Sequence, residues 1–260
     1  MATMQTIAPV PVDEIEAHAE AVDRDRRFPT EGLDALRRAG LLALGVPAAY
    51  GGPGGGPHEV AAAIRSIGGI CGSTSMVYAM HLVAVQTLLA DPGPDDGPKA
   101  EVLRAIATGE HLTTLAFSAR GSRSHFWAQT AHAVRDGDEV VIDDLKTWVT
   151  SAAEADSYVV AIGSPGVESP LQTDLYLVDA RSAGITVLQP FEGLGMCGNG
   201  SSPVSFSGVR VPASHRVGKA REGYRTMMAA TLPWFVLACG ACCVGLSGRA
   251  LALAIEHAGG

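Results

Sequence analysis

Two short motifs between Leu115 and Thr150 decide the fold and the chemistry of this chain. The first reads Leu-Ala-Phe-Ser-Ala-Arg-Gly-Ser-Arg-Ser over residues 115–124, and the second reads Lys-Thr-Trp-Val-Thr over residues 146–150. The first predicts an apolar strand that breaks into a turn whose backbone N–H groups and hydroxyls can hold a phosphate. The second predicts a strand end that presents an indole and a hydroxyl. A flat ring with a polar edge needs an apolar wall and a few placed donors, so the pair favours a flavin over a sugar.

Composition and charge restrict the class of protein. The chain has 260 residues, of which 47% are hydrophobic and 18% charged, so it can bury a substantial core and is not predicted to be disordered. Its 19 Lys and Arg against 27 Asp and Glu give a net charge of −8, which is the wrong sign for a nucleic-acid surface.

The cysteines predict neither disulfides nor a metal site. Five are present, an odd number without paired metal-ligand spacing, namely Cys71, Cys197, Cys239, Cys242 and Cys243. The N-terminus carries acidic residues before any apolar run, which is not the pattern of a signal peptide. We therefore expect a cytoplasmic protein with reduced thiols.

The hydrophobic pattern changes period near residue 111. Before it, helical patterns cover residues 30–40, 58–67, 73–89 and 95–109, with a glycine-rich loop over residues 51–56. After it, short β-branched runs predict strands over residues 112–117, 131–134, 139–147, 158–162, 174–179, 185–188 and 204–211. Helical patterning returns after Gly218.

The segment from Thr226 to Gly248 contains no charged residue and is long enough to span a bilayer. Pro233, the glycines within the run and the lack of a flanking basic cluster favour a buried core helix over a membrane anchor.

Taken together, the motifs resemble those of the acyl-CoA dehydrogenase superfamily. Phe117 and Ser118 match a strand that leads into a Thr-Glu-Pro-like turn, with Ser118 in place of threonine, and Ser124 matches the serine of a following Gly-Ser. Residues 148–150 match a Trp-Ile-Thr motif. Further similar segments lie at residues 47–52, 136–139, 193–198 and 209–212.

The sequence also departs from the family pattern in several places. Ala119 and Arg120 stand where the family usually has Glu and Pro, and Arg123 stands where it usually has Gly. Cys197 occupies a usual arginine position. The departures at residues 119, 120 and 123 fall in the turn that the resemblance places at the pyrophosphate.

The resemblance implies an α+β fold with three parts. These are an N-terminal α-helical domain at residues 1–110, a middle antiparallel β-barrel or β-sandwich domain at residues 111–220, and, at residues 221–260, the first helix of an incomplete C-terminal helical bundle. Without the rest of that bundle, the last helix is expected to expose an apolar face and to favour association.

The resemblance further implies FAD as the cofactor. The expected contacts are Leu115, Phe117, Ser118, Ser124, Trp148 and Thr150, with the Thr150 hydroxyl at the flavin N5 edge and Trp148 against the ring. Ser124 is also a candidate for substrate binding. His81 is a second such candidate, although its apolar surroundings favour a core histidine.

No catalytic residue can be assigned from the sequence. Dehydrogenation of a thioester needs a carboxylate base, and residues 232–241, where some family branches carry it, contain none. Glu222 precedes this segment and is expected to be a helix N-terminal residue.

Three hypotheses for the function remain open. The first is an FAD-dependent dehydrogenase of an acyl thioester on CoA or a carrier protein, with a separate electron acceptor. The second is a flavin-dependent monooxygenase of the same fold, which uses oxygen. The third is a non-catalytic subunit of a hetero-oligomer. A homo-oligomer or hetero-oligomer is expected in each case.

Overall fold

The computed structural model describes residues 7–123, 125–167, 169 and 171–259. Five α-helices form the N-terminal part: α1 Val12–Arg24, α2 Thr30–Arg38, α3 Pro57–Gly68, α4 Gly72–Leu89 and α5 Pro98–Ala107. The four predicted helices are confirmed with shifted ends. Helix α1 was not predicted, because six of its 13 residues are charged and it buries only Ile15 and Val22.

Helix α4 is the centre of the helical domain. It is apolar on all sides, and nearly all of its residues are buried. The Tyr78 hydroxyl donates a hydrogen bond of 2.8 Å to the carbonyl of Leu41, and this bond ties the helix to the chain after α2. Burial raises the pKa of Tyr78, so the hydroxyl stays protonated and available as a donor.

The middle part is a sandwich of two four-stranded sheets. One sheet has the order β1 (Thr113–Ala116), β4 (Ser157–Gly163), β5 (Thr173–Asp179) and β8 (Arg216–Val217). The other has the order β2 (Val134–Asp136), β3 (Glu139–Val149), β7 (Ser202–Pro212) and β6 (Ile185–Val187). Apolar side chains of both sheets, among them Ile142, Val160 and Phe206, meet between them.

The sheets correct the sequence-based prediction in three respects. The sandwich is the second of the two predicted alternatives, but the sheets are not purely antiparallel, because β1 pairs with β4 in parallel, with Thr113 opposite Ser157. That pairing is possible because the β2–β3 hairpin lies between the two strands in the chain, which leaves room for a crossover. Strand β2 begins at Val134 instead of Ala131, and the two-residue β8 was missed.

A further apolar cluster joins the helical and β domains. Val85 and Leu88 of α4 and Leu103 of α5 pack against Val159 and Leu175, which lie on the outer face of the first sheet. Both faces of that sheet are therefore covered, which explains why β4 is buried at every residue.

The C-terminal segment is one continuous helical rod. It consists of α6 (Gly223–Thr226), a π-helical turn (Met227–Thr231) and α7 (Leu232–Gly259). Pro233 has no N–H to donate to the preceding turn, and the wider π turn precedes it directly. The Thr231 hydroxyl lies 2.9 Å from that of Thr87, which fixes the turn against α4.

Helix α7 packs on α3 and α4 along a narrow seam of small residues. Ala238, Cys242 and Gly245 are buried, whereas Val244 and Ile255 are more than half exposed. The rod Gly223–Gly259 is long and apolar enough to cross a membrane by length and composition, and 22% of its most apolar window is buried. Most of α7 thus exposes its apolar side, as expected for this helix without the rest of the bundle.

Two glycines of α7 provide a test of this packing. A Cβ at Gly245 would lie 2.2 Å from the carbonyl oxygen of Arg65, whereas one at Gly248 would meet nothing within 4 Å. We expect Gly245→Ala to lower the free energy of unfolding by about 1–3 kcal/mol through overpacking. Gly248→Ala should raise it by up to about 1 kcal/mol through helix propensity. Urea denaturation measures both, and equal effects would contradict the docking of α7 on α3.

Candidate functional site

A cavity of about 580 Å³ opens where the helical domain, the β-sandwich and the start of α7 meet. Its size lies within the range of small-molecule sites. The lining residues come from α4, the segment after β1, the end of β3 and the C-terminal rod: Met80, Leu115, Phe117, Ser118, Ala119, Arg120, Gly121, Ser122, Arg123, Phe126, Thr147, Trp148, Thr150, Thr231 and Phe235.

Backbone pairing brings the two sequence motifs together at this cavity. The N–H of Thr147 donates to the carbonyl of Ser118 at 2.8 Å, and the N–H of Arg120 donates to the carbonyl of Leu145 at 3.0 Å. Ala119 and Lys146 form the antiparallel bridge between these two bonds. The chain after β1 thus extends along β3, and residues 117–123 face residues 147–150.

Trp148 lies in a bulge of β3, where the pairing with β7 shifts between Lys146 and Val149. Its φ of 57° is in the left-handed region, which costs a residue with a side chain about 1–2 kcal/mol. The indole is 65% exposed and stacks on Phe191, with ring centroids 3.9 Å apart. Strain of this kind is often retained at functional sites.

The polar groups of the cavity are hydroxyls on an otherwise apolar wall. Thr150 is nearly buried, and its Oγ1 lies 3.3 Å from the hydroxyl of Ser201. Ser118 is half-buried and lines the same cavity. Phe117 stacks with Phe126, with centroids 6.3 Å apart, and Phe126 in turn contacts Phe235.

These features fit a flavin ring. Aromatic and aliphatic side chains supply walls for its faces, and the hydroxyls of Ser118 and Thr150 supply partners for its polar rim. Leu115, Phe117, Ser118, Trp148 and Thr150, all predicted from the sequence as cofactor contacts, lie on this one cavity. Ser124, predicted to contact both cofactor and substrate, lies outside the described residues.

His81 does not lie on the cavity. It is fully buried, its Nε2 lies 2.9 Å from the carbonyl of Leu42, and its Nδ1 accepts a hydrogen bond of 3.1 Å from the N–H of Thr113. Because Nδ1 accepts, we assign the proton to Nε2. The two ring nitrogens thus join α4 to the chain after α2 and to β1, which argues against substrate binding and favours the core interpretation.

Burial lowers the pKa of His81 from 6.5 to about 4. The unfolded chain takes up a proton below about pH 6.5, whereas the folded chain resists it down to about pH 4. This contribution to stability is therefore complete above pH 6.5 and is lost as the pH falls. We expect the free energy of unfolding to drop by about 3 kcal/mol across this window because of His81.

The variant His81→Gln should remove that part of the pH dependence. His58→Gln is the matched control, since the His58 side chain is 92% exposed. Urea denaturation between pH 7 and pH 4 measures both variants. A wild-type slope in His81→Gln would show that His81 is not the buried titrating group.

A buried ion pair lies behind the cavity wall. Lys146 is fully buried, with its Nζ 2.6 Å from Asp144 Oδ2 and 2.6 Å from Gln129 Oε1. Burial lowers the pKa of Lys146, and the carboxylate of Asp144 opposes that shift. The Gln129 amide nitrogen donates to the carbonyls of Phe117 and Phe126 at 3.1 and 2.9 Å. The ion pair thus fixes two aromatic residues of the wall.

Removal of Lys146 should be costly because it leaves a buried carboxylate without its cation. We expect Lys146→Met to lower the free energy of unfolding by about 3–5 kcal/mol. In the double variant with Asp144→Leu, most of this loss should be recovered, because neither buried charge remains. Denaturation of the two variants side by side is the measurement. Equal losses in the single and double variants would contradict the pairing.

Several lining residues were not anticipated as site residues. Met80, Phe126, Thr231 and Phe235 reach the cavity from elements whose periodicity indicates only burial. Gln129 could have been noticed as a polar residue in an apolar stretch, but its partners depend on tertiary contacts. Arg120 and Arg123, which depart from the family pattern, both line the cavity.

Comparisons with known proteins agree with this architecture. The family model for the acyl-CoA dehydrogenase N-terminal domain matches residues 3–110, and the model for the acyl-CoA dehydrogenase middle domain matches residues 114–209. The probable acyl-CoA dehydrogenase YngJ of Bacillus subtilis is 28% identical over 246 residues, which are 94% of this chain and 64% of YngJ.

Two solved structures are similar at comparable identity. FkbI, from the biosynthesis of the methoxymalonyl extender unit of a polyketide, is 27% identical with a TM-score of 0.83, and the match covers 95% of this chain and 67% of FkbI. An FAD-dependent dehydrogenase is 25% identical with a TM-score of 0.80, covering 94% of this chain and 66% of that one. The chain thus spans about two thirds of the length of these relatives.

Proposed function

Since the chain belongs to the acyl-CoA dehydrogenase superfamily, we propose that its cavity holds FAD and that the protein takes part in the α,β-dehydrogenation of an acyl thioester. The observation that carries the proposal is the meeting of residues 117–123 with residues 147–150 at one cavity of aromatic walls and hydroxyls. The similarity to an FAD-dependent dehydrogenase supports the choice of FAD.

When bound, the flavin would supply the atom that accepts a hydride. The chain's own part is to orient the ring and keep water away from it. The hydroxyls of Thr150 and Ser118 serve as hydrogen-bonding partners for the polar rim, while Phe117, Phe126 and Trp148 cover apolar area. Exclusion of water strengthens every polar contact made inside the cavity.

A general base is not assigned. Among the described residues that line the cavity, none is an aspartate, glutamate or histidine. Proton removal next to a thioester requires such an acceptor within hydrogen-bonding reach. The described lining therefore supports the proposal of cofactor binding alone, and no catalytic residue is named.

The lack of a carboxylate in the described lining favours a second candidate function. A flavin-dependent monooxygenase of the same fold uses oxygen and has no need of that base. Anaerobic addition of acyl-CoA to the flavin-loaded protein distinguishes the two functions. Bleaching of the flavin band supports dehydrogenation. Unchanged absorbance, together with rapid reoxidation of photoreduced flavin by oxygen, supports the monooxygenase.

The partners follow from the same proposal. The substrate would be an acyl thioester on CoA or on a carrier protein, and the relative FkbI from polyketide biosynthesis makes the carrier-bound form worth testing. Electrons would pass to a separate acceptor or to oxygen. The exposed apolar side of α7 is the surface we expect to be covered in a homo-oligomer or hetero-oligomer.

Titration of the 260-residue chain with FAD tests the proposal directly. We expect a perturbed flavin absorbance band that saturates at one flavin per chain. Thr150→Val should weaken binding by about tenfold, because one hydrogen bond in a nearly buried site is lost. Thr186→Val, at an exposed position of β6, should bind as the wild type does. A folded chain that leaves the flavin spectrum unchanged would refute a self-sufficient site.

A further inference from the structure

We propose that a second cavity, at one end of the β-sandwich, binds a free amino acid in its zwitterionic form. This cavity, the sandwich-end cavity, has a volume of about 690 Å³. Residues of β2 and β3 line it from one sheet, and residues of β5 and β8 line it from the other. It shares no described lining residue with the candidate flavin cavity, so the inference goes beyond the proposed function.

The carboxylate of Asp174 is buried in the lining of the sandwich-end cavity. The residue is 2% exposed. Its Oδ1 accepts a hydrogen bond of 2.6 Å from the N–H of Arg221, and its Oδ2 accepts one of 3.4 Å from the Tyr176 hydroxyl. Asp174 forms no ion pair with any described residue, whereas the nearly buried Asp144 has Lys146 as its cation. A buried carboxylate is costly without a positive partner, and a cationic group of a ligand would supply that partner.

A buried hydroxyl lies beside this carboxylate. Ser164 is fully buried and lines the cavity, and its Oγ has no hydrogen-bond partner among the residues that the structure describes. Its N–H donates to the carbonyl of Gln172 at 2.9 Å, and Ile162 is paired with Asp174. Ser164 and Asp174 are therefore diagonal neighbours across the β4–β5 pair. An ammonium group bound at Asp174 has three N–H donors and can give one of them to Ser164.

Positive charge lines the same cavity. Arg135, Arg216 and Arg221 belong to the lining, and none of them forms an ion pair with a described residue. Glu139 also lines the cavity, but its Oε2 already accepts a hydrogen bond of 2.8 Å from Arg210. A guanidinium group can bind a carboxylate through two parallel N–H···O bonds. The cavity thus offers partners for a carboxylate as well as for an ammonium group.

A zwitterion satisfies both sets of groups. The ammonium group of an amino acid would bind Asp174 and Ser164, and its carboxylate would bind the arginines. A simple amine would be repelled by the arginines, and a simple carboxylate would be repelled by Asp174. Ala133 and Val140 add buried apolar lining, which suits an aliphatic side chain. L-Leucine combines these features and serves as the probe.

Isothermal titration of the whole chain with L-leucine tests the proposal. We expect saturable binding of one molecule per chain. N-acetyl-L-leucine lacks the ammonium group and L-leucinamide lacks the carboxylate, so each should bind at least about tenfold more weakly. The titration needs no flavin, so its result does not depend on the function proposed for the other cavity.

Two variants locate the binding. Ser164→Ala should weaken L-leucine binding by about tenfold, because a hydrogen bond to a charged group is lost. Asp174→Asn should weaken it further, because the negative charge is lost. Ser66→Ala, at an exposed position of α3, is the matched control and should bind as the wild type does. Circular dichroism and the unfolding midpoint confirm that the variants are folded.

A folded wild-type chain that binds neither L-leucine nor glycine would overturn the proposal. Equal affinity for L-leucine and its N-acetyl derivative would also overturn it, and so would equal affinity of the wild type and Ser164→Ala for L-leucine. Weaker binding in Ser164→Ala with unchanged binding in Ser66→Ala would support the sandwich-end cavity, whether or not the chain binds FAD.

Discussion

The pairing of residues 118–120 with residues 145–147 is the constraint on which the site depends. It joins segments 29 residues apart in the chain through the hydrogen bonds of Ser118 with Thr147 and of Arg120 with Leu145. Lys146 lies inside this pairing and is buried between Asp144 and Gln129. A buried cation is tolerated only while its partners stay in place. The ion pair and the backbone pairing therefore stabilise one another.

Apolar and charged side chains occupy different parts of the cavity lining. Its interior is aromatic and aliphatic with a few hydroxyls, and the charged side chains among its described residues are Arg120 and Arg123. Such a site suits a ligand with a flat conjugated ring. No aspartate, glutamate or histidine among the described lining residues could take a proton from carbon. The lining therefore supports cofactor binding but does not identify a catalytic base.

Sequence reasoning reached the local features and missed the tertiary ones. Periodicity located α2 to α5 and six of the eight strands, because most of these segments have a consistent pattern of burial. The predicted strand at residues 131–134 shares only Val134 with β2, whose three residues are all exposed. It missed α1, whose core contact is limited to Ile15 and Val22, and the parallel pairing of β1 with β4, which no local signal encodes. The motifs identified five of the lining residues. They could not indicate the bulge at Trp148 or the contribution of Thr231 and Phe235.

Hydrogen exchange with and without FAD, followed by mass spectrometry, tests the central claim that the two motifs form one flavin site. The account predicts slower exchange in both residues 116–123 and residues 147–151 when FAD is bound, and no change in the β2–β3 hairpin at residues 134–140. Protection of only one of the two segments, or protection elsewhere, would contradict it.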